Sequence, residues 1–139
     1  MSENNIAKVI QINSANRTIE YVDFERGNTE QLLKLIGIKY EHDMQAIPYK
    51  NDDLHFYDEE GLLKPTTSTT WYSLDSMSRG ILLEGVDGRL MPSNGVIMSV
   101  NEKGGAEKPN TSIEWLRDNV RFGRLDMVDG YFTPVLIED

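Results

Sequence analysis

The stretch "AKVIQINSANRTIEYVDF" (7–24) decides the fold, because it contains two β-type segments joined by turn residues. The first, 7–12, is rich in β-branched residues, and the second, 18–24, alternates apolar and polar positions. Between them, "NSANR" (13–17) supplies the residue types that turns favour. The stretch therefore predicts a β-hairpin and antiparallel pairing.

A short helix over 28–37 is predicted next, in "NTEQLLKLIG". Asn28 is a good N-cap with Gln31 three residues on, and Gly37 suits the left-handed residue that ends many helices. One face carries the apolar residues Leu32, Leu35 and Ile36.

A second helix over 112–122 is predicted in "TSIEWLRDNVRFG". Thr111 and Glu114 have the spacing of a capping box, and Gly123 follows the last expected turn. Its apolar stripe is Ile113, Leu116 and Val120. The segment before it, 101–110, has two glycines, a proline and mixed charge, which predicts an exposed loop.

Short strands account for most of the remaining chain. The candidates are "MQAIP" (44–48), "DLHFY" (53–57), "LLK" (62–64), "WYSL" (71–74), a meander over 80–100, and two strands around Asp129-Gly130. In the 53–57 strand, Leu54 and Phe56 are expected to face the core. Asp87-Gly88 and Asn94-Gly95 are dipeptides that hairpin turns favour, so both are expected to form turns.

The predicted fold class is α+β, with a mostly antiparallel sheet of about six to eight short strands and both helices on one face. A chain of 139 residues has the size of one domain, so we expect 1–139 to be a single domain. The second helix could instead dock on another subunit, which leaves a homo-oligomer open.

Composition excludes several classes of protein. The net charge of −9 opposes direct binding of nucleic acid, whose affinity depends on lysine and arginine. There is no cysteine, which excludes disulfides, thiolate nucleophiles and cysteine zinc sites and fits a cytoplasmic location. No secretory signal or membrane-length apolar run is found.

Acidic residues concentrate in 41–60, which holds seven acids and one lysine. The acids are Glu41, Asp43, Asp52, Asp53, Asp58, Glu59 and Glu60. Such a patch could attract a protein partner with a basic surface. A solvated rim that keeps the chain soluble explains the same charges.

Three of these acids belong to "YDEEGLLK" (57–64), which is typical of a tight turn with Gly61 at its fourth position. Its acids lack the twelve-residue register of a calcium loop, so no metal site is predicted. His42 and His55 could join nearby carboxylates on a metal ion, although an exposed His42 and a His55 packed beside Tyr57 explain both residues.

Aromatic and arginine residues form the other candidate site: Trp71, Tyr72, Arg79, Trp115 and Arg121. Aromatic faces with guanidinium groups can hold a nucleotide-like ligand by stacking and paired hydrogen bonds. The same residue types occur at protein interfaces. A core tryptophan with solvated arginines is the third interpretation.

The order of these features resembles a family of small phage- and plasmid-borne proteins with a shared domain of unknown function. The residues that carry the resemblance lie within about 5–100: a leucine-rich helix ending in Ile-Gly, then "DEEGLLK", then "RGILLEG". The segment "PTTSTTWYSL" (65–74) and the last 39 residues depart from the family. The resemblance implies a mobile-element setting and assigns no catalytic residue or cofactor.

The sequence thus favours a non-enzymatic accessory protein of a mobile element that binds a partner through the acidic segment, such as a host defence or nucleic-acid enzyme that it would inhibit. A small-molecule binding or sequestering protein is the alternative. A metal-dependent enzyme at His42 and His55 is the third hypothesis.

Overall fold

The computed structural model describes residues 5–58, 70–74, 89–92 and 94–136. Within them lie ten strands, two α-helices and two short 3-10 turns. The strands are β1 (Ile6–Asn13), β2 (Thr18–Glu25), β3 (Met44–Pro48), β4 (Asp53–Asp58), β5 (Thr70–Leu74), β6 (Arg89–Pro92), β7 (Asn94–Val100), β8 (Ala106–Glu107), β9 (Arg121–Val128) and β10 (Tyr131–Leu136). The helices are α1 (Thr29–Ile36) and α2 (Ile113–Asn119), and the 3-10 turns are Glu41–Asp43 and Lys50–Asp52.

The described strands form two antiparallel sheets. The six-stranded sheet has the order β2-β1-β7-β4-β3, with β8 also paired to β7. The four-stranded sheet has the order β10-β9-β5-β6. The predicted α+β class, with two helices and a mostly antiparallel sheet, is confirmed. The strands are more numerous than expected and are divided between two sheets.

The predicted first hairpin is confirmed. β1 and β2 pair along their whole length, from Ile6 opposite Glu25 to Asn13 opposite Thr18. In the turn, the Asn13 side chain accepts a hydrogen bond from the Asn16 N–H at 3.0 Å. This Asx-type contact replaces the strand ladder where the chain reverses.

Helix α1 also matches its prediction. The Asn28 side chain accepts a hydrogen bond from the Gln31 N–H, and Gly37 ends the helix with φ 89°. Leu32 and Ile36 are buried against the six-stranded sheet.

Helix α2 is shorter than predicted and has a different cap. Ser112, not Thr111, is the N-cap, because its Oγ accepts a hydrogen bond from the Trp115 N–H at 3.2 Å. The helix ends at Asn119, and Gly123 lies in β9 opposite Trp71 instead of terminating the helix. The first residues of β9 therefore pair with β5 instead of extending the helix.

Asn94-Gly95 is not a turn, contrary to the prediction. Both residues lie in β7 and pair with β1. The turn predicted at Asp129-Gly130 is confirmed, with φ of 52° and 83° at the two residues. The predicted 62–64 strand and the Asp87-Gly88 turn lie outside the described residues.

The segment 101–110, predicted as an exposed loop, is only partly so. Its first half is a turn in which the Asn101 side chain accepts hydrogen bonds from the Lys103 and Gly105 N–H groups at 2.9 Å. Ala106 is buried in β8, and the Asn110 N–H is bonded to Asp53.

The two helices pack on opposite faces of the six-stranded sheet, not on one face as predicted. α1 contributes Leu32 and Ile36 to a cluster with Ala7, Val9, Phe24, Val96, Met98 and Ala106. α2 contributes Ile113 and Leu116 to a cluster with Ile10, Ile12, Ile19, Tyr57, Tyr72, Ile97 and Val120. Successive residues of β1 and β7 alternate between the clusters, as side chains on a strand must.

The β4 strand has both faces covered for the same reason. His55 and Tyr57 are buried, whereas Leu54 and Phe56 are only half-buried. Phe56 packs against the α1-side cluster as expected, but the deeply buried pair is His55 and Tyr57, on the face that was not expected to meet the core.

Candidate functional site

The acidic segment does not form one surface. Glu41 and Asp43 precede β3, and Asp52 and Asp53 follow it. The five residues of β3 separate the two groups by about 17 Å at the rise of an extended strand. Glu59 and Glu60 lie outside the described residues.

Asp53 is a structural residue of the fold and not a surface acid. Its side chain is buried, with only 1% of the residue exposed. One carboxylate oxygen accepts a hydrogen bond from the Asn110 N–H and the other from the Thr111 N–H, both at 2.8 Å. Charged acceptors form strong bonds with backbone donors, so Asp53 fixes the chain that leads into α2.

The turn before Asp53 is held against the same segment. Asn51 and Asp52 have φ of 60° and 64°, a left-handed conformation that asparagine and aspartate tolerate. The Asn51 carbonyl accepts a hydrogen bond from the Asn110 side chain at 2.8 Å. The β3–β4 turn and the start of α2 therefore form one polar contact.

At the other end of β3, the acids are divided between surface and interior. Asp43 and Asp58 are buried at 8% exposure, and Met44 beside Asp43 pairs with Asp58. Glu41 is exposed.

An exposed aromatic pair flanks Glu41. Tyr40 has 55% of its surface exposed, the highest value among the large hydrophobic residues that the structure describes. Its ring stacks on His42 with centroids 5.5 Å apart and planes 11° from parallel. The surface formed by Tyr40, Glu41 and His42, which we call the β3 entry surface, offers an ordered aromatic face beside negative charge.

The two histidines do not come together. The His42 side chain is 78% exposed before β3, whereas His55 is fully buried and pairs across the strands with Ile47. No group of three or more metal-ligating side chains is found within the part of the chain that the structure describes. The geometry required by the third hypothesis is therefore not formed by these histidines.

His55 instead joins the two sheets. Its Nε2 shares a hydrogen bond of 2.6 Å with the Tyr72 hydroxyl of β5, and its ring stacks on Tyr57 at 5.2 Å. Burial, together with the neighbouring Tyr57, raises the pKa of Tyr72 well above its ordinary value.

Gly95 makes this contact possible. A Cβ atom at Gly95 would overlap the Tyr72 hydroxyl and lie 3.0 Å from His55 Nε2. Only glycine lets the tyrosine cross β7 and reach the histidine. The sequence signal was present in Asn94-Gly95, but it indicated close approach of a side chain and not a turn.

The predicted aromatic and arginine site is not assembled on the surface. Trp71 and Tyr72 are fully buried, and the Trp71 Nε1–H donates a hydrogen bond to the Arg124 carbonyl at 3.0 Å. Arg79 lies outside the described residues. Neither buried ring presents a face to a ligand that arrives from solvent.

The other members of that set also have local partners or separate positions. The Lys50 Nζ atom lies 3.3 Å from the centre of the Trp115 ring, so a cation already covers this face. Arg121 is exposed at the start of β9. Arg117, on α2, donates two hydrogen bonds to the Ile19 carbonyl of β2.

Comparisons of the chain with family models, curated proteins and solved structures give no match. None of the helices in the described residues is long and apolar enough to cross a membrane. The resemblance to phage and plasmid proteins therefore stays a prediction.

Proposed function

We propose that this protein is a non-enzymatic binding protein, and that it recognises a partner protein with a basic surface through the β3 entry surface. The observation that carries the proposal is the exposed stack of the Tyr40 and His42 rings, with the exposed Glu41 between these two residues in the sequence. Tyrosine at the centre of an interface supplies large contact area at a small entropic cost.

Charge supports a basic partner. The chain carries a net charge of −9, and Glu41 adds a local exposed carboxylate. Complementary charge raises association rates and disfavours acidic competitors. Because Asp53 is buried and bonded, the binding surface is smaller than the whole segment 41–60.

The setting in which this binding acts is part of the proposal. The chain is acidic and has no cysteine, which fits the cytoplasm of a host that carries a phage or plasmid. The partner would be a host defence or nucleic-acid enzyme, and Glu41 and its neighbours would occupy the basic groove of that enzyme.

The test is affinity capture from the native host, followed by titration of each captured protein with purified variants. Tyr40→Ala combined with Glu41→Lys should weaken binding of the true partner by about a hundredfold, the effect of losing an aromatic anchor and a charge. Binding should also weaken as salt rises.

Glu30→Lys is the matched control, because Glu30 is an exposed acid in the first turn of α1, away from the β3 entry surface. It makes the same charge change and should leave affinity unaltered. If both variants bind the partner as tightly as the wild type does, the proposal is wrong.

A further inference from the structure

The outer edge of β2 carries the backbone groups that face away from β1. The Arg26 N–H donates to the Asn5 carbonyl at 2.8 Å, which fixes the phase of the ladder. Residues 18, 20, 22, 24 and 26 therefore bond β1, and Ile19, Tyr21, Asp23 and Glu25 point their backbone groups outward. Such an edge can pair with another strand.

Arg117 occupies one end of this edge. From α2, its Nε and Nη2 atoms both donate hydrogen bonds to the Ile19 carbonyl, at 3.0 Å and 2.8 Å. A guanidinium group presents several donors in a rigid fork, so two of them converge on one acceptor.

Gln31 occupies the other end, from α1 on the opposite face of the sheet. Its amide nitrogen donates a hydrogen bond to the Asp23 carbonyl at 2.9 Å. Its amide oxygen accepts one from the Glu25 N–H at 2.8 Å. One side chain therefore satisfies two backbone groups of the edge.

The opposite edge of the sheet, at β3, is limited in another way. There the Tyr49 N–H bonds the Asp53 carbonyl, so Met44, Ala46 and Pro48 face outward. The Met44 N–H is already bonded to the Glu41 carbonyl, and proline has no N–H. Ala46 alone among these three residues offers an uncommitted donor.

One symmetric register would pair the β2 edge with the β2 strand of a second copy of the chain. With Tyr21 opposite Tyr21 of the copy, Ile19 lies opposite Asp23, and Arg17 lies opposite Glu25 with opposite charge. This register would require the Ile19 and Asp23 carbonyls to accept strand hydrogen bonds. Those are the two carbonyls that Arg117 and Gln31 hold.

We propose that Arg117 and Gln31 form an edge block that prevents β2 from pairing with the β2 strand of a second copy. The block keeps the chain monomeric with respect to this edge, and it uses one residue from each helix. This inference is independent of the partner that binds the β3 entry surface.

Sedimentation velocity over a concentration series tests the edge block. The variant Arg117→Ala with Gln31→Ala should dimerise, with the dissociation constant falling about tenfold for each side chain removed, the change that one net hydrogen bond produces. Adding Tyr21→Pro should restore the monomer, because proline removes the central outward donor and is accepted at an edge.

Arg121→Ala is the control for charge, since it removes an exposed arginine away from β2 and should stay monomeric. If circular dichroism shows that the double variant is unfolded, the single variant Arg117→Ala, which leaves α1 intact, is used to test the edge block by sedimentation. A folded Arg117→Ala variant that sediments as the wild type does at every concentration would overturn the proposal.

Discussion

The two faces of the six-stranded sheet are built from different chemistry. Under α1, the core is hydrophobic: Val9, Val96, Met98 and Phe24 pack on Leu32 and Ile36. Under α2, buried polar groups interrupt the apolar cluster, chiefly His55, Tyr72 and Asp53. Aliphatic packing tolerates changes that conserve volume, whereas a buried polar contact fails when one partner is lost.

This difference predicts where the fold is most sensitive to substitution. On the α1 face, removing a methyl group lowers the free energy of unfolding only by the lost burial of that group and by the cavity that it leaves. On the α2 face, a small change also leaves buried donors or acceptors unpaired, which adds the cost of their desolvation. The largest effects of small substitutions should therefore fall on the α2 face.

Gly95→Ala should have the largest effect of the substitutions considered. The added methyl would overlap the Tyr72 hydroxyl and separate it from His55. Overpacking and the loss of a buried hydrogen bond together should lower the free energy of unfolding by about 4 kcal/mol. Urea denaturation followed by fluorescence measures this change.

A double-mutant cycle with Tyr72→Phe separates overlap from general strain. Without the hydroxyl, Gly95→Ala should cost clearly less, although the ring carbon that carried it would remain 2.6 Å from the new Cβ. A Gly95→Ala cost that is equal in both backgrounds would show that the hydroxyl contact does not define this site.

The same comparison explains how much of the fold the sequence predicts. The first hairpin and α1 are local: their turn and cap residues lie within a few positions of the elements that they bound. The hydrophobic period, the capping residues and the glycine positions are therefore sufficient to predict these two elements. The α+β class follows from these elements and from the alternating strands.

On the α2 face, the deciding contacts are distant in sequence. The Thr111 Oγ1 atom bonds the Lys50 carbonyl and the Asn51 side chain, which lie 61 and 60 positions earlier, so the role of cap falls to Ser112. Pairing of β9 with β5 places Gly123 in a strand. No local pattern encodes such contacts, so the helix boundaries were wrong at both ends.

The candidate sites were affected in the same way. Residue type directs attention to the acids and the aromatic residues, but burial decides whether they can meet a partner. Trp71, Tyr72 and Asp53 are inside, whereas Tyr40 is outside and was not singled out. A lone tyrosine between a helix and a short strand carries no periodic signal.

Asp53→Asn should have the second largest effect. An amide oxygen can accept one of the two hydrogen bonds, but the amide NH₂ would then face the other backbone donor. One buried N–H left unsatisfied should lower the free energy of unfolding by about 2 kcal/mol.

Asp52→Asn is the matched control, because the neighbouring Asp52 is exposed and asparagine keeps its left-handed conformation. Its effect should stay within about 0.5 kcal/mol, as for most surface substitutions. Equal losses of stability in the two variants would contradict the role of Asp53 as the anchor of the α2 entry.

The smallest predicted effect compares the caps of the two helices. Ser112→Ala and Asn28→Ala each remove a side-chain acceptor for a first-turn N–H, so each should lower the free energy of unfolding by about 1 kcal/mol. Equal losses of stability would support Asn28 and Ser112 as the N-caps of the two helices. A loss in Thr111→Val that exceeds the Ser112→Ala loss would not by itself reassign the cap, since Thr111 also contacts Lys50 and Asn51.

A pKa measurement therefore decides which residue caps α2. Hydrogen bonds from its own backbone N–H and from the Ser112 hydroxyl lower the pKa of Glu114 below its ordinary value. Because the folded pKa is the lower one, this stabilisation is present at neutral pH and is lost as the pH falls through the ordinary pKa to the folded one. Ser112→Ala should raise the Glu114 pKa toward its ordinary value in an NMR titration, whereas Thr111→Val should leave it in place. The opposite pattern would assign the cap to Thr111 instead of Ser112.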